Sequence, residues 1–321
     1  MTQFQVPPFI TPGSKFIDEH AARRLSRLAA SGDLVRVRRG LYLPAGFWEG
    51  LKPWEKYRIR IQAVHELAAC RPVFARESAA QIMGLPLIRI PIPGEVQTVI
   101  AVGKSGGQSS HGVGRVNAVL GDPPPWEMFG LLVTPPVQTV RDLAVRLPLA
   151  QSLPALDKLL QRKILPGSPP NVPLVFTADD VRGSALLLPN GTQRGRVERA
   201  LEVGNGLSQS AGESLSRAIM IQNGFPTPAL QVPLRDSRGL IGLPDFDWEE
   251  YKTLGEFDGY EKYSAQKYLN GKTPSQVVVE EKNRENRLRA QGYNVVRWVW
   301  DDLRDPRRLV TLLHEAGLRS K

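Results

Sequence analysis

Acidic and aromatic residues alternate in two short segments near the end of this 321-residue chain. Residues 245–248 read Asp-Phe-Asp-Trp, and residues 256–258 read Glu-Phe-Asp. Successive side chains of a β-strand point to opposite faces, so a period of two predicts strands with carboxylates on one face and aromatic rings on the other. The pattern therefore predicts strands over residues 240–248 and 253–259 that belong to one sheet.

Pairing of these two strands would bring several carboxylates close together. The candidates are Asp245, Asp247, Glu256 and Asp258. Such charges repel one another unless a cation neutralises them or some are protonated. Oxygen ligands without His or Cys favour Mg²⁺ or Mn²⁺, which can activate water at a phosphodiester. Two exposed strand carboxylates without a metal are the simpler alternative, and Asp247 fits an outer or surface position better than a ligand position.

Helices and a further strand surround this predicted sheet. A helix is expected over residues 213–220, and a longer one over 273–291 with Thr273 as N-cap and Pro274 at its first position. A strand over 293–300 and a helix over 305–317 complete the last third.

Positive charge is concentrated at the N-terminus. Residues 1–65 contain eleven Lys/Arg and five Asp/Glu, which leaves +6 of a formal net charge of +10 for the chain. This balance favours a polyanionic partner, with double-stranded DNA as the leading class.

A basic helix and a basic hairpin account for much of that charge. The expected helix, residues 18–30, carries Arg23, Arg24 and Arg27, and the expected hairpin, residues 34–43, has a basic turn. The arginines of the hairpin are Arg36, Arg38 and Arg39. A basic helix followed by a basic two-stranded tip is typical of a winged helix-turn-helix that binds DNA. A solvated basic face is the alternative.

Composition excludes several other classes. One cysteine rules out an intrachain disulfide framework, and no apolar run reaches the ~18 residues of a membrane span. The first residues do not have the pattern of a secretory signal, so we expect a cytoplasmic protein with no membrane partner. We predict three domains, residues 1–54, 55–190 and 191–321, and within the second a hairpin of strands 95–102 and 115–120.

Residues 34–45, 76–87 and 130–144 resemble the AbiEi family of bacterial antitoxins. The matching segments read LVRVRRGLYLPA, RESAAQIMGLPL and GLLVTPPVQTVRDLA. The resemblance implies an N-terminal winged helix that binds operator DNA and represses its own operon. It also implies a cognate toxin protein as a partner.

Residues 196–318 resemble the PD-(D/E)XK nuclease superfamily, particularly the branch related to very-short-patch-repair endonucleases. The resemblance implies that Asp245 and Glu256 are metal ligands and that Glu213 orients water or ligands. The usual signature has a Lys two residues after the second acid, where this chain has Asp258. Lys262 is the candidate for a migrated catalytic cation.

The sequence thus predicts a multi-domain chain that combines α/β and α+β parts. We expect an N-terminal winged helix-turn-helix, a mixed middle domain, and a C-terminal restriction-endonuclease-like sheet flanked by helices. One function hypothesis is a Mg²⁺- or Mn²⁺-dependent DNA endonuclease that uses Glu213, Asp245, Glu256, Asp258 and Lys262. A second is an antitoxin-like repressor of a toxin–antitoxin or phage-defence operon with a degenerate nuclease domain. A third is a structural interaction protein, such as a toxin-binding antitoxin that does not contact DNA.

Overall fold

The chain forms two compact units. The computed structural model describes residues 7–13, 20–90, 95–101, 112–118, 124–170, 175–259 and 274–321. The first unit comprises Met1–Leu143 and Ile164–Leu174, and the second comprises Ala144–Lys163 and Val175–Lys321. The predicted three-domain division stays a prediction.

The first unit begins with a short helix and a hairpin. Helix α1 (Ala21–Ala30) buries Ala21 and Leu25, which lie one turn apart on the same face. Strands β1 (Leu34–Arg38) and β2 (Leu41–Pro44) pair antiparallel, which confirms the predicted hairpin. Gly40 in its turn has φ +83°, a conformation that glycine adopts without steric cost. Residues 14–19, which include the first two residues of the predicted helix, lie outside the described residues.

A five-stranded sheet forms the rest of the first unit. Its strand order is β5-β4-β3-β7-β6. The elements, in chain order, are α2 (Ala45–Glu49), α3 (Pro53–Glu66), β3 (Val73–Phe74), α4 (Arg76–Met83), β4 (Val96–Ala101), β5 (Val113–Ala118), β6 (Trp126–Met128), β7 (Leu131–Val133) and α5 (Pro136–Arg146), whose last three residues belong to the second unit.

The hairpin predicted from residues 95–102 and 115–120 is wrong. Strands β4 and β5 exist, but they pair parallel, with Val96 opposite Val113. Parallel neighbours need a crossover connection, whereas a hairpin joins antiparallel strands. Alternation of side chains predicts a strand and not its direction, so the sequence could not distinguish the two. The connecting residues 102–111 lie outside the described residues.

The second unit surrounds a three-stranded sheet with helices. Its elements are α6 (Leu149–Leu160), α7 (Ala178–Ala185), α8 (Gly191–Val203), α9 (Ala211–Gln222), β8 (Leu234–Asp236), β9 (Gly239–Gly242), β10 (Phe246–Trp248), β11 (Thr253–Asp258), α10 (Pro274–Ala290), β12 (Asn294–Val299), α11 (Trp300–Arg304) and α12 (Pro306–Glu315). Strands β8 and β9 form a separate two-stranded ribbon. The predicted N-cap Thr273 lies outside the described residues.

The strand predicted over residues 240–248 is two strands. Strand β9 ends at Gly242 and pairs with β8, whereas β10 starts at Phe246 and pairs with β11. Pro244 lies in the break, and proline cannot donate to a strand ladder. Asp245 therefore precedes β10 and is not part of a continuous strand.

Aromatic rings form the core of the three-stranded sheet. Trp298 on β12 is 1% exposed, and its ring centroid lies 5.3 Å from that of Phe246. The indole Nε1 of Trp298 donates to Ser216 Oγ on α9 at 2.7 Å. The aromatic half of the acid–aromatic alternation is thus buried against α9, as the period of two predicts.

Helix α9 packs very closely on β11 at a glycine. A Cβ atom at Gly212 would lie 2.0 Å from the ring of Phe257. We expect Gly212→Ala to lower the free energy of unfolding by about 1–3 kcal/mol, because overpacking forces side chains or backbone to move. Urea unfolding measures this.

Gly195 on α8 supplies a matched control for that substitution. A Cβ atom there would have no neighbour within 4 Å. Gly195→Ala should therefore raise stability by about 0.5–1 kcal/mol through helix propensity. Equal effects at the two positions would contradict the close approach at Gly212.

In the part of the chain that the structure describes, no helix is long and apolar enough to cross a membrane.

Candidate functional site

The sheet of the second unit brings the candidate acids to one region. In the antiparallel pair of β10 and β11, Phe246 lies opposite Gly255, so Asp245 comes beside Glu256. Strand β12 pairs parallel with β11 and places Arg297 opposite Glu256. The two predicted metal ligands are therefore neighbours, and an arginine lies next to the second.

Asp245 is held by two hydrogen bonds. Its Oδ2 accepts from the backbone N–H of Phe257 at 2.8 Å, and its Oδ1 accepts from Gln231 Nε2 at 3.3 Å. The first bond ties the residue before β10 to the middle of β11. Asp245 thus closes the end of this strand pair.

Glu213 is part of the start of α9. Its backbone N–H donates to the N-cap Ser210 Oγ at 3.2 Å, and its Oε2 accepts from the N–H of Gln209 at 2.7 Å. The Ser210 hydroxyl thus caps α9, while the carboxylate of Glu213 accepts from the N–H of the residue before the cap. Glu213 is 6% exposed.

Two glutamines connect Glu213 to Asp245. The backbone N–H of Gln209 donates to Glu213 Oε2, and the side-chain Nε2 of Gln209 donates to Gln231 Oε1 at 2.9 Å. Gln231 then donates to Asp245. The three predicted acids Glu213, Asp245 and Glu256 therefore belong to one connected region of the second unit.

Glu256 accepts hydrogen bonds from two arginines. Its Oε1 pairs with Arg284 Nη2 of α10, and its Oε2 accepts from Arg297 Nε at 3.1 Å. The carboxylate is 10% exposed, so the pairing is poorly screened by solvent. The second predicted metal ligand thus lies in an ion-pair network.

Helix α10 supplies the remaining members of this network. Arg297 also pairs with Glu281 and, at 3.1 Å, with Glu285. Arg284 pairs with Glu281 at 3.0 Å. We call these five residues, Glu256, Glu281, Arg284, Glu285 and Arg297, the ion-pair network.

Burial and charge oppose each other at Glu256. Burial raises the pKa of its carboxyl group above the ordinary value, and Arg284 and Arg297 lower it in part. For Arg297, burial lowers the pKa, but the hydrogen bond and charge of Glu256 outweigh this and the pKa is raised. The two guanidinium groups thus offset only part of the free-energy cost of burying the ionised carboxylate.

The donor set fits an ion-pair network better than a divalent cation site. Both oxygens of Glu256 accept from guanidinium groups, whose positive charge opposes a cation. Both oxygens of Asp245 also accept hydrogen bonds. Within the described ranges, no group of three or more His, Cys, Asp or Glu residues is placed to hold a metal ion.

Of the last two predicted catalytic residues, Asp258 lies at the edge of this region. It is half-buried at the end of β11, where the nuclease signature has its Lys. Lys262 lies outside the described residues.

Asp247 is buried, so it does not take the surface position that was one of the two expected for it. It is 6% exposed, and its Oδ1 has no hydrogen-bond partner among the described residues. Burial, with a smaller effect of Glu249, raises the pKa of Asp247 above its ordinary value of 3.8. The ionised side chain is therefore costly in the folded state.

We expect Asp247→Asn to stabilise the protein at neutral pH by about 1 kcal/mol. A raised carboxyl pKa contributes stability below the unfolded pKa and loses it as pH rises through the folded pKa. The neutral amide does not titrate, so its advantage should grow between about pH 4 and pH 7. Urea unfolding at several pH values measures it.

Asp236→Asn is the control, for which we expect the opposite change in the free energy of unfolding. Hydrogen bonds from Arg287 lower the pKa of Asp236 to about 2. Its contribution is present above the unfolded pKa, so Asn should destabilise the protein at neutral pH. If both substitutions changed the free energy of unfolding in the same direction, the result would contradict the claim that burying the ionised Asp247 destabilises the folded state.

The predicted DNA-binding arginines lie on the first unit. On α1, Arg23, Arg24 and Arg27 are exposed, whereas Ala21 and Leu25 are buried. In the hairpin, Arg36 and Arg39 are exposed, while Arg38 is half-buried and burial lowers its pKa.

Sequence reasoning missed three residues of the acid region. Gln209 and Gln231 lie in loops without a periodic pattern, and Gln231 has φ +54°, which is uncommon for a residue other than glycine. Arg284 was recognised only as one of many charges on α10. The missed signal is its place one turn from Glu281 on the same helix face.

No protein-family model matches the chain. Two uncharacterized proteins from two strains of Mycobacterium tuberculosis are each 31% identical to it over 123 residues, which are 36% of this chain and 42% of theirs. The chain therefore spans about two fifths of the length of these curated relatives. A crystal structure of the RV2827C protein from Mycobacterium tuberculosis is similar with a TM-score of 0.38 and 16% identity, over 70% of this chain and 79% of that chain.

Proposed function

We propose that this chain is a DNA-binding repressor of the antitoxin type that contacts duplex phosphates through the arginines of α1 and the following hairpin. The observation that carries the proposal is the exposure of Arg23, Arg24, Arg27, Arg36 and Arg39 on two consecutive elements. Arginines on a helix and a neighbouring hairpin suit phosphate contacts, which position a protein on DNA. The resemblance of residues 34–45 to AbiEi antitoxins supports the repressor role and a toxin protein as partner.

The ion-pair network supports a repressor more than a nuclease. Glu256 is neutralised by Arg284 and Arg297, so it needs no cation to balance its charge. Asp258 occupies the position of the signature Lys, and a second carboxylate there cannot supply positive charge to a phosphodiester.

Fluorescence anisotropy of a labelled duplex, with the full chain at several salt concentrations, tests this proposal. We expect affinity to fall steeply as salt increases, because phosphate contacts release counterions. Binding should not require Mg²⁺ and should persist in EDTA. Affinity that does not change with salt would contradict phosphate contacts by these arginines.

A Mg²⁺-dependent DNA endonuclease is the second candidate function. The observation that favours it is the position of Asp245 beside Glu256 in the sheet, with Glu213 connected through two glutamines. Under this hypothesis, Asp245→Ala and Glu256→Ala keep DNA affinity and abolish cleavage of plasmid DNA in Mg²⁺ or Mn²⁺. Uncut plasmid with the unmodified chain in both metals removes this candidate.

A further inference from the structure

Two tryptophans lie where α2 ends and α3 begins, and a cationic side chain lies over each ring. Lys52 Nζ is 5.0 Å from the ring centroid of Trp54. Lys56 Nζ and Arg60 Cζ are 5.7 and 5.5 Å from the ring centroid of Trp48. At these distances the face of an aromatic ring attracts a cation. The junction of α2 and α3 therefore combines indole rings with positive charge.

Trp54 is open to solvent, whereas Trp48 is half-buried. Trp54 is 48% exposed although Lys52 lies over its ring. Residues 49–66 are all described, and Trp54 is the one large hydrophobic side chain among them that is exposed. The exposed indole is therefore not part of a larger apolar patch formed by its own helix.

Positive charge predominates in the segment that contains Trp54. Residues 48–60 include four Lys/Arg and two Asp/Glu. Arg58 is exposed and lies one turn after Trp54, so the two residues share a face of α3. Glu55 caps α3, because its Oε2 accepts from the backbone N–H of Lys52 at 2.8 Å. The three exposed residues Lys52, Trp54 and Arg58, which we call the Trp54 surface, therefore favour an anionic partner.

An exposed indole beside cations suits a single nucleic acid strand. Unpaired bases stack on aromatic side chains, while basic side chains contact the phosphates that connect them. In a duplex, neighbouring bases cover the faces of one another, so an indole reaches a base face only where the strand is unpaired. A lipid surface would need further apolar side chains to enter the acyl region, and residues 49–66 expose only Trp54 of that kind.

We propose that the Trp54 surface binds single-stranded DNA. Trp54 stacks on one base, and Lys52 and Arg58 contact the adjacent phosphates. Stacking tolerates any sequence, because every base has a π-face. This site goes beyond the duplex binding proposed for α1 and the hairpin, and it uses none of their arginines.

Fluorescence anisotropy of the full chain with two labelled oligomers tests this inference. One is an oligothymidylate of about eight nucleotides, within the usual span of a stacking surface, and the other is an abasic oligomer of the same length. Both carry the same phosphates, so a difference in affinity reports contacts to bases. We expect the oligothymidylate to bind about tenfold more tightly, and equal affinity would overturn the proposal.

Substitutions assign this difference in affinity to Trp54. Trp54→Ala should abolish the difference, whereas Trp54→Phe keeps an aromatic ring and should retain most of it. Phe129→Ala removes another exposed aromatic side chain of the first unit and should leave both affinities unchanged. A difference that persists in Trp54→Ala would overturn the role of the indole.

Two further measurements separate this site from its alternatives. Alanine at the three arginines of α1 should weaken duplex binding but keep the preference for oligothymidylate over the abasic oligomer. The failure of one proposal is then distinguishable from the failure of the other. Vesicles of phosphatidylglycerol should bind equally, if at all, to the unmodified chain and to Trp54→Ala. Vesicle binding that is lost in Trp54→Ala would assign the surface to a lipid and overturn the proposal.

Discussion

Alanine at Arg23, Arg24 and Arg27 together is expected to lower duplex affinity about a hundredfold near physiological salt. Each arginine is exposed on α1 and can make one charge-assisted phosphate contact. At about 1 kcal/mol or more for each contact, three losses give about two orders of magnitude in the dissociation constant. The slope of log affinity against log salt should also become shallower by about 2.7, because about 0.9 is lost for each contact.

A triple variant of the second unit is the matched control. Arg199, Arg238 and Arg319 are exposed, and their replacement by alanine removes the same net charge. If DNA binding reflects only the overall charge of the chain, the two triple variants will weaken it equally. Equal loss would therefore contradict a binding surface on α1.

Asp157→Ala is expected to lower the free energy of unfolding by about 3–5 kcal/mol. The side chains of Asp157 and Arg217 are 1% and 2% exposed, so the substitution leaves a buried guanidinium without a counter-charge. It also removes the acceptor for two backbone N–H groups and for Ser214 Oγ. Chemical denaturation of the full chain measures the loss.

A surface pair and a double substitution provide the controls. Arg182 pairs with Glu198, but both are nearly half exposed, so Arg182→Ala should lower the free energy of unfolding far less than Asp157→Ala. The double variant Asp157→Leu, Arg217→Met should recover part of the loss, because no unpaired charge remains. A double variant that is less stable than Asp157→Ala would contradict an uncompensated charge as the cause.

Much of the local structure could be predicted from the sequence. The alternation of acids and aromatics predicted β11 and the shared face of Phe246 and Trp248, because a period of two determines which face a side chain occupies. The N-terminal hairpin followed from its basic turn and Gly40. These are local signals, carried by residues within one element.

The partners of Glu256 could not be predicted in the same way. Arg284 and Arg297 are 28 and 41 positions away in the chain, and their approach depends on the parallel pairing of β12 with β11. Strand direction is not encoded in a side-chain period, as the parallel pair β4–β5 also demonstrates. The sequence therefore predicted the acids of the site, but not that Arg284 and Arg297 are the residues that pair with Glu256.

Hydrogen exchange of the full chain, with and without a saturating duplex, tests the central claim most directly. DNA binding through the first unit predicts slower exchange in peptides that cover α1, β1 and β2, with no change in α10 and β12. Slower exchange in peptides that cover residues 245–258 and 281–299, with none at α1 or the hairpin, would contradict it. That result would move the DNA interface to the acid region of the second unit.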